Sequence, residues 1–268
     1  MIAFANAKIN IGLQVFNRRA DGYHNLETVF YPIKLYDVIE VVEGADLRFI
    51  PSGTPVPGSG ENNLCLKAYR LLNETYALPP VHIYLHKHIP IGAGLGGGSA
   101  DAAFLLTLLN NHFGLGLSES ELIGFARQLG ADCPFFIKNR PVMATGIGDL
   151  LEDIDVNLSG YWMVLVAPPV HVSTAEAYGT VVPHEAGRQL RTAIRQPVDT
   201  WQDAIVNDFE AGIFAVHPEI AIVKRSLYEA GAVYASMSGS GSSVYGLFRK
   251  PVKLPDLELD NQVFYLEI

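Results

Sequence analysis

The sequence predicts an α+β fold in two domains. Strand-like segments come before a group of helical ones and recur after it, without the regular strand–helix alternation of a parallel α/β sheet. A glycine-rich stretch at 92–98 runs directly into an apolar helix. The chain turns polar over 149–159 and restarts as an apolar strand at 161–167, which places a domain boundary near residue 155 and gives domains of 1–155 and 156–268.

Taken in order, residues 1–16 alternate as a strand, with Ile9, Ile11 and Leu13 on one face and Lys8, Asn10 and Gly12 on the other. That polar face is expected at water or at a site. Further strands are expected at 29–33, 38–43, 47–50 and 81–85. The segment 51–60, PSGTPVPGSG, is a loop by composition, after which Asn62 or Asn63 caps an amphipathic helix reaching Leu72. A second helix starts near Ser99, with Ala102, Ala103, Leu105, Leu106 and Leu109 as its buried stripe. A third is delimited by a capping box, Ser118 with Glu121, and by Gly130 as the residue just past its end. In the second domain, helices are expected at 174–179, 185–195, 201–209 and 218–230, and strands at 161–167, 233–236, 243–248 and 263–268. Few helices over a small sheet predict a split βαβ, ferredoxin-like arrangement.

Composition excludes several classes of function. With 268 residues, 49% of them hydrophobic and 18% charged, the chain is no disordered polypeptide. Its 19 basic against 28 acidic residues leave a net charge of −9, which argues against bulk nucleic-acid binding. No apolar run reaches the roughly 18–20 residues that span a bilayer, so no membrane insertion is expected. The opening MIAFANAKINIGLQVF carries Lys8 and Asn10 inside its apolar stretch, unlike a secretory leader. Only Cys65 and Cys133 are present, which points to a reducing compartment and a cytoplasmic location.

The strongest chemical signal is HIPIGAGLGGGSADAA at 88–103. Glycines let backbone approach a ligand closely, and the free N–H groups and dipole of a helix N-terminus favour phosphate. Gly97 is expected to need a positive φ. A phosphate cradle competes here with a flexible surface loop. Gly92, Gly94 and Gly97 satisfy G-x-G-x-x-G, but 102–118 holds no acid for a ribose, and Gly98 stands where a P-loop needs lysine. The H-R-D and D-F-G signatures of protein kinases are missing as well. In LGADCPFF at 129–136, Asp132 has a chain-imposed position fit for a general base, or it is simply a turn-former. Lys8 and Asn10 are exposed strand residues or parts of a site. A lysine, an amide, a glycine loop and a fixed acid together supply what phosphoryl transfer asks of a protein. SMSGSGSSVYG at 236–246 reads as a tight turn between strands, and RRADGYHNL at 18–26 as a loop carrying Tyr23 and His24. His82, His86 and His88 share a strand face, a conceivable metal site with no nearby acid or cysteine to complete it.

In this order, AKINIGL at 7–13, PIGAGLGGGSADAA at 90–103, LGADCPFF at 129–136 and SMSGSGSS at 236–243 resemble the GHMP kinases. RADGYHNLET at 19–28 and NDFE at 207–210 narrow the resemblance to members whose acceptor is a cytidylated methylerythritol. The resemblance spans nearly the whole chain. It implies an N-terminal domain like ribosomal protein S5 domain 2, a ferredoxin-like C-terminal domain and an active site in the cleft between them. It implies ATP as co-substrate with Mg2+ and transfer of the γ-phosphoryl to the acceptor's 2-hydroxyl. By motif position, Asp132 is the base, Lys8 its cationic partner, and Asn10 a hydrogen-bonding neighbour of the reacting groups. Pro90, Gly92, Gly94, Leu95, Gly96, Gly97, Gly98 and Ser99 form the ATP loop, with Ser99 a candidate metal ligand and Asn63 and Lys87 candidates for the nucleoside end. Tyr23, His24, Thr174 and Tyr178 fall where the family binds cytidine, with Tyr178 at a position that can be Phe. Two alternatives stand beside this reading. A related kinase with a mevalonate- or homoserine-type acceptor is opposed by RADGYH, and a silent nucleotide-binding regulator by the presence of both Lys8 and Asp132.

Overall fold

The computed structural model describes residues 1–56, 60–184 and 189–268. The chain forms two compact units that interleave along the sequence. One takes Met1–Ala7, Leu35–Ile91 and Gly96–Arg140, the other Lys8–Lys34, Gly92–Leu95 and Pro141–Ile268. The interleaving arises because two long strands, β1 (Ile2–Arg18) and β2 (His24–Glu43), run on from one unit into the other. The two strands expected at 29–33 and 38–43 are thus one. The polar residues between them do not break it, because Lys34 and Tyr36 take outward positions while Leu35 keeps to the buried face.

In the first unit the end of β2 pairs antiparallel with β4 (Val81–Lys87), Val38 opposite His86, and β3 (Arg48–Gly53) lies parallel along β4. Val81, Ile83 and Leu85 are buried, while His82 and His86 alternate outward. The α-helices among the described residues of this unit are α1 (Leu64–Tyr76), α2 (Gly97–His112), α3 (Glu119–Leu129) and α4 (Cys133–Lys138). Asn63 caps α1 by accepting from the Cys65 N–H, and α1 runs past Leu72 to Tyr76. The expected loop 51–60 begins inside β3, and its residues 57–59 lie outside the described ones. The Ser118–Glu121 capping box of α3 is present in both directions. Gly130, by contrast, has φ 170°, an extended backbone open to any residue, so it does not end α3 as a left-handed glycine. α4 was not expected from the sequence; Pro134 in its first turn has no N–H to lose there.

In the second unit the start of β2 pairs with β5 (Val142–Thr145), Thr28 opposite Ala144, and β5 pairs with β6 (Leu150–Asp153). Only β6 lies in the 149–159 stretch that the sequence marks as polar, and β5 was not expected from the sequence. Beyond it come β7 (Trp162–Ala167), α5 (Thr174–Thr180), α6 (Leu190–Ala193), α7 (Trp201–Ala204), α8 (Phe209–Val216), α9 (Pro218–Glu229), β8 (Tyr234–Met237), β9 (Val244–Phe248), α10 (Pro255–Glu258) and β10 (Gln262–Glu267). The four strands order as β10-β7-β9-β8, every neighbour antiparallel, which is the split βαβ arrangement expected. The helix expected at 201–209 divides into α7 and the start of α8, because Asn207 and Asp208 are drawn into tertiary hydrogen bonds. Residues 185–188 of the helix expected at 185–195 lie outside the described residues. Val164, Val166, Ile213, Ile220, Val223, Leu227 and Val244 form the core between sheet and helices.

The polar face of β1 is not at water. Residues 5–15 are all buried, with Lys8 only 4% and Asn10 only 3% exposed. Gly12 explains part of this: a Cβ there would come within 2.8 Å of Ile205 and of Leu190, so the α6–α7 segment packs directly on the strand backbone.

Candidate active site

Buried lysine and asparagine require partners. Lys8 Nζ donates to Asn10 Oδ1 at 2.5 Å and to the Gly94 carbonyl at 3.0 Å, and lies 5.1 Å from the centre of the Phe30 ring. Asn10 Nδ2 donates to Thr28 Oγ1, which in turn donates to the Gly12 carbonyl. The tip of the glycine loop is held on both sides. The Lys8 N–H donates to the Leu95 carbonyl at 3.0 Å, and the Ser243 N–H to the Ala93 carbonyl at 3.2 Å. Gly92, Gly94 and Gly96 have φ of 66°, 77° and 70°. At Gly94 no side chain fits, since a Cβ would stand 1.9 Å from the Ser238 carbonyl oxygen.

Gly96 is the N-cap of α2, and Gly97, Gly98 and Ser99 form its first turn. The positive φ expected at Gly97 is therefore not there; its constraint is space, a Cβ coming within 3.0 Å of Ile89 and 3.2 Å of Lys87 Nζ. No described side chain caps this helix end and its first turn holds no acid. Its leading N–H groups and positive dipole end are available to an anion. Leu95 is buried and Pro90 half-buried in the approach to the turn. Ser99 is half-buried and shares a hydrogen bond with Cys133, whose thiol is pushed up to about 11, chiefly by burial.

Asp132 stands at the N-cap of α4, half-buried, and its carboxylate makes no capping bond. It lies in the turn between α3 and α4, where its own carbonyl accepts from the Phe135 N–H at 3.2 Å. Lys87, a candidate for the nucleoside end, is buried with its ammonium on two carboxylates, Asp37 and Asp101, the latter at 2.7 Å. Burial works against its charge, but Asp101 and Asp37 more than offset this and hold its pKa above the ordinary lysine value. Asp37 also accepts from the His88 and Ile89 N–H groups, so the chain entering the glycine loop is tied down where it leaves β4. Asn63 spends its side-chain oxygen on the α1 cap.

In the second unit His24 and Tyr178 stack on each other, ring centres 5.2 Å apart and 21° from parallel. Thr174 opens α5, four residues before Tyr178, and is exposed. Tyr23 is 62% exposed. The histidine face of β4 is divided among separate partners, His82 with Asp46 and His86 with Ser52.

Residues 63–140 match the family described as "GHMP kinases N terminal domain", and residues 190–258 match "GHMP kinases C terminal". A 4-diphosphocytidyl-2-C-methyl-D-erythritol kinase of Azobacteroides pseudotrichonymphae is 54% identical, covering 94% of this chain and 95% of its own. One of Bacteroides thetaiotaomicron is 50% identical over 98% of both chains. The chain belongs to the GHMP kinase family. Among solved structures, that of a 4-(cytidine 5'-diphospho)-2C-methyl-D-erythritol kinase superposes on this GHMP kinase with a TM-score of 0.83 and 32% identity, covering 99% of this chain and 98% of its own. A mevalonate kinase superposes with a TM-score of 0.73 at 14% identity, covering 100% of this chain and 98% of its own, a likeness of fold.

Three polar residues of this kinase were not singled out from the sequence. Asp37 and Asp101 had a legible signal. Each interrupts a buried series, Leu35 and Ile39 on the strand and Ala100 and Ala102 on the helix, and a buried acid calls for a cation. Ser238, inside a motif read as a turn, had none; its hydroxyl accepts from the Asn10 N–H at 3.2 Å and donates to the Gly94 carbonyl at 2.9 Å.

Proposed function

We propose that this kinase transfers the γ-phosphoryl of ATP to the 2-hydroxyl of 4-diphosphocytidyl-2-C-methyl-D-erythritol, in the non-mevalonate route to isoprenoid precursors. The observation that carries the reading is the likeness, over nearly the whole of both chains, to kinases named for that acceptor. The uncapped, acid-free start of α2 supports the phosphate part of it. The two cysteines, buried and unbridged, support a reducing cytoplasm.

Phosphoryl transfer needs positioning and charge neutralisation more than covalent chemistry. In this reading the N–H groups of Gly97, Gly98 and Ser99 receive ATP phosphate oxygens. Asp132 takes the proton of the 2-hydroxyl, and Lys8, oriented by Asn10 and the Gly94 carbonyl, balances charge on the moving phosphoryl. Magnesium suits the donors present. Ser99 offers one hydroxyl oxygen, and among the described residues no cluster of acids, histidines or cysteines forms a cage, which accords with an ion held mostly by phosphates and water. When bound, it neutralises charge on the β- and γ-phosphates. The Lys87 ammonium is held by Asp37 and Asp101, and Asp37 also takes the His88 and Ile89 N–H groups, so in this reading Lys87 steadies the chain that leads into the loop. Thr174, Tyr178, His24 and Tyr23 bind the cytidine, and the His24–Tyr178 pair has to part to about 7 Å, twice a stacking distance, if the base is to lie between them.

An assay of ADP release with ATP and each of three acceptors tests the proposal. Turnover with the cytidylated methylerythritol alone is expected. Turnover with mevalonate or homoserine in its place, or ATP binding without turnover on any acceptor, would overturn it.

A further inference from the structure

The NDFE stretch at 207–210 reaches three places in the second unit. Asn207 is buried and spends its whole amide. Its Nδ2 donates to the carbonyls of Met237 at 2.9 Å and Gly239 at 2.8 Å, and its Oδ1 accepts from the Phe209 N–H at 3.0 Å. Those two carbonyls flank Ser238, whose hydroxyl accepts from the Asn10 N–H and donates to the Gly94 carbonyl. The same Gly94 carbonyl receives Lys8 Nζ. Glu210 steadies the other side of the turn, accepting from the Met237 N–H at 2.8 Å and from Ser236 Oγ at 3.3 Å. Asp208 grips β1: its N–H donates to the Leu13 carbonyl and its carboxylate accepts from the Val15 N–H, both at 2.8 Å. Phe209 meets Tyr178 at a steep angle, ring centres 5.0 Å apart at 78°, and the Tyr178 ring in turn stacks on His24.

We propose that the 207–210 turn is a shared positioning device, in which Asn207 sets the Ser238 turn and through it Gly94 and Lys8, while Phe209 sets Tyr178 and through it His24. The residue types follow from the task. Aspartate lacks the two donors that Asn207 gives to carbonyls, and glutamine carries its amide one methylene too far. Phe209 sits in the core while its ring packs against that of a partly exposed tyrosine, so one side chain joins the packing to the binding surface. The inference rests on the roles proposed above for Lys8 and for His24 and Tyr178.

Two arms of one experiment test it. In the kinetic arm, Asn207→Ala is expected to lower kcat by about 10- to 100-fold and to change the acceptor KM by less than about threefold. Phe209→Leu is expected to raise the acceptor KM about fivefold or more and to lower kcat less than Asn207→Ala does. A turn that only stabilised the fold would not divide kcat from KM in this way. In the second arm, without substrate, the protein is labelled with 15N at lysine Nζ. Asn207→Ala is expected to move the Lys8 Nζ resonance and leave the His24 ring signals, and Phe209→Leu to do the reverse. Ser238→Ala removes one hydroxyl and should repeat the Asn207→Ala pattern in both arms; it decides the matter if Asn207→Ala does not fold. If wild-type protein fails to turn over the acceptor, the proposed function is what fails, and the resonance arm still decides the device. Resonances and kinetic constants that move together in both variants, or in neither, would overturn it.

Discussion

The carboxylate of Asp101 lies 2.7 Å from Lys87 Nζ through one oxygen, while its other oxygen, fully buried, has no hydrogen-bond partner among the described residues. Burial pushes Asp101 up to about 7, against the pull of Lys87 and with the help of the Asp37 charge. Between about pH 4, where an unfolded aspartate ionises, and about pH 7, the native state holds a proton that the unfolded chain has released. The stability owed to Asp101 is therefore present below this window and lost as pH rises through it.

Asp101→Asn stays neutral throughout. Its stability relative to wild type should rise from pH 5 to pH 8, by an amount on the order of a few kcal/mol. Urea unfolding of both proteins across that range measures it. Parallel curves would show that Asp101 is ionised throughout.

Asp132→Asn keeps the shape of the side chain and removes its ability to accept a proton. A loss of about 10²–10⁴ in kcat, with the fold and the affinity for ATP retained, is expected from steady-state kinetics and calorimetric titration with ATP. Near-normal turnover would reduce Asp132 to a residue of the turn before α4.

Two glycines of the loop should respond differently. Gly94→Ala drives a methyl into the Ser238 carbonyl and strains a backbone at φ 77°, so thermal unfolding should show a loss of at least about 1–3 kcal/mol. Gly98→Ala meets only Leu64, at 4.0 Å, and gains helix propensity, so it should fold as well as wild type. A rise in its KM for ATP, with the acceptor KM unchanged, would then report the approach of phosphate to the helix end. Equal damage to both substrates would remove the case for a loop given over to ATP.

Tyr178→Ala removes one ring of the His24–Tyr178 stack. Stacking on an aromatic is worth roughly 1–3 kcal/mol per base, so acceptor binding should weaken by about 5- to 150-fold while ATP is almost unaffected. Cytosine presents an amino donor and a ring-nitrogen acceptor where uracil presents the reverse. Wild-type protein should therefore prefer the cytidine acceptor to its uridine analogue in kcat/KM. Equal use of the two pyrimidines would show that the site does not read the hydrogen-bonding edge of the base.

Much of this protein is determined locally and was legible without coordinates. The Asn63 cap, the Ser118–Glu121 box, the glycines at 92–96 and the alternation of β4 depend on residues within a few positions of one another, so spacing alone reveals them. The split βαβ sheet followed from the number and order of its segments. What tertiary structure alone decided is where the polar residues go. Lys8 and Asn10 read as one polar strand face, yet α6–α7 and the 92–95 loop cover that face and turn them into a buried network. Lys87 is a candidate for the nucleoside end by resemblance alone, while the acids on its ammonium, 50 and 14 residues away in sequence, become visible only in the fold. Ser238 acquires its role only when Asn207, Asn10 and Gly94 converge on its turn. A buried polar atom must find a partner wherever the fold provides one, and the sequence separation of these pairs, 228 residues for Asn10 and Ser238, leaves no periodicity to read.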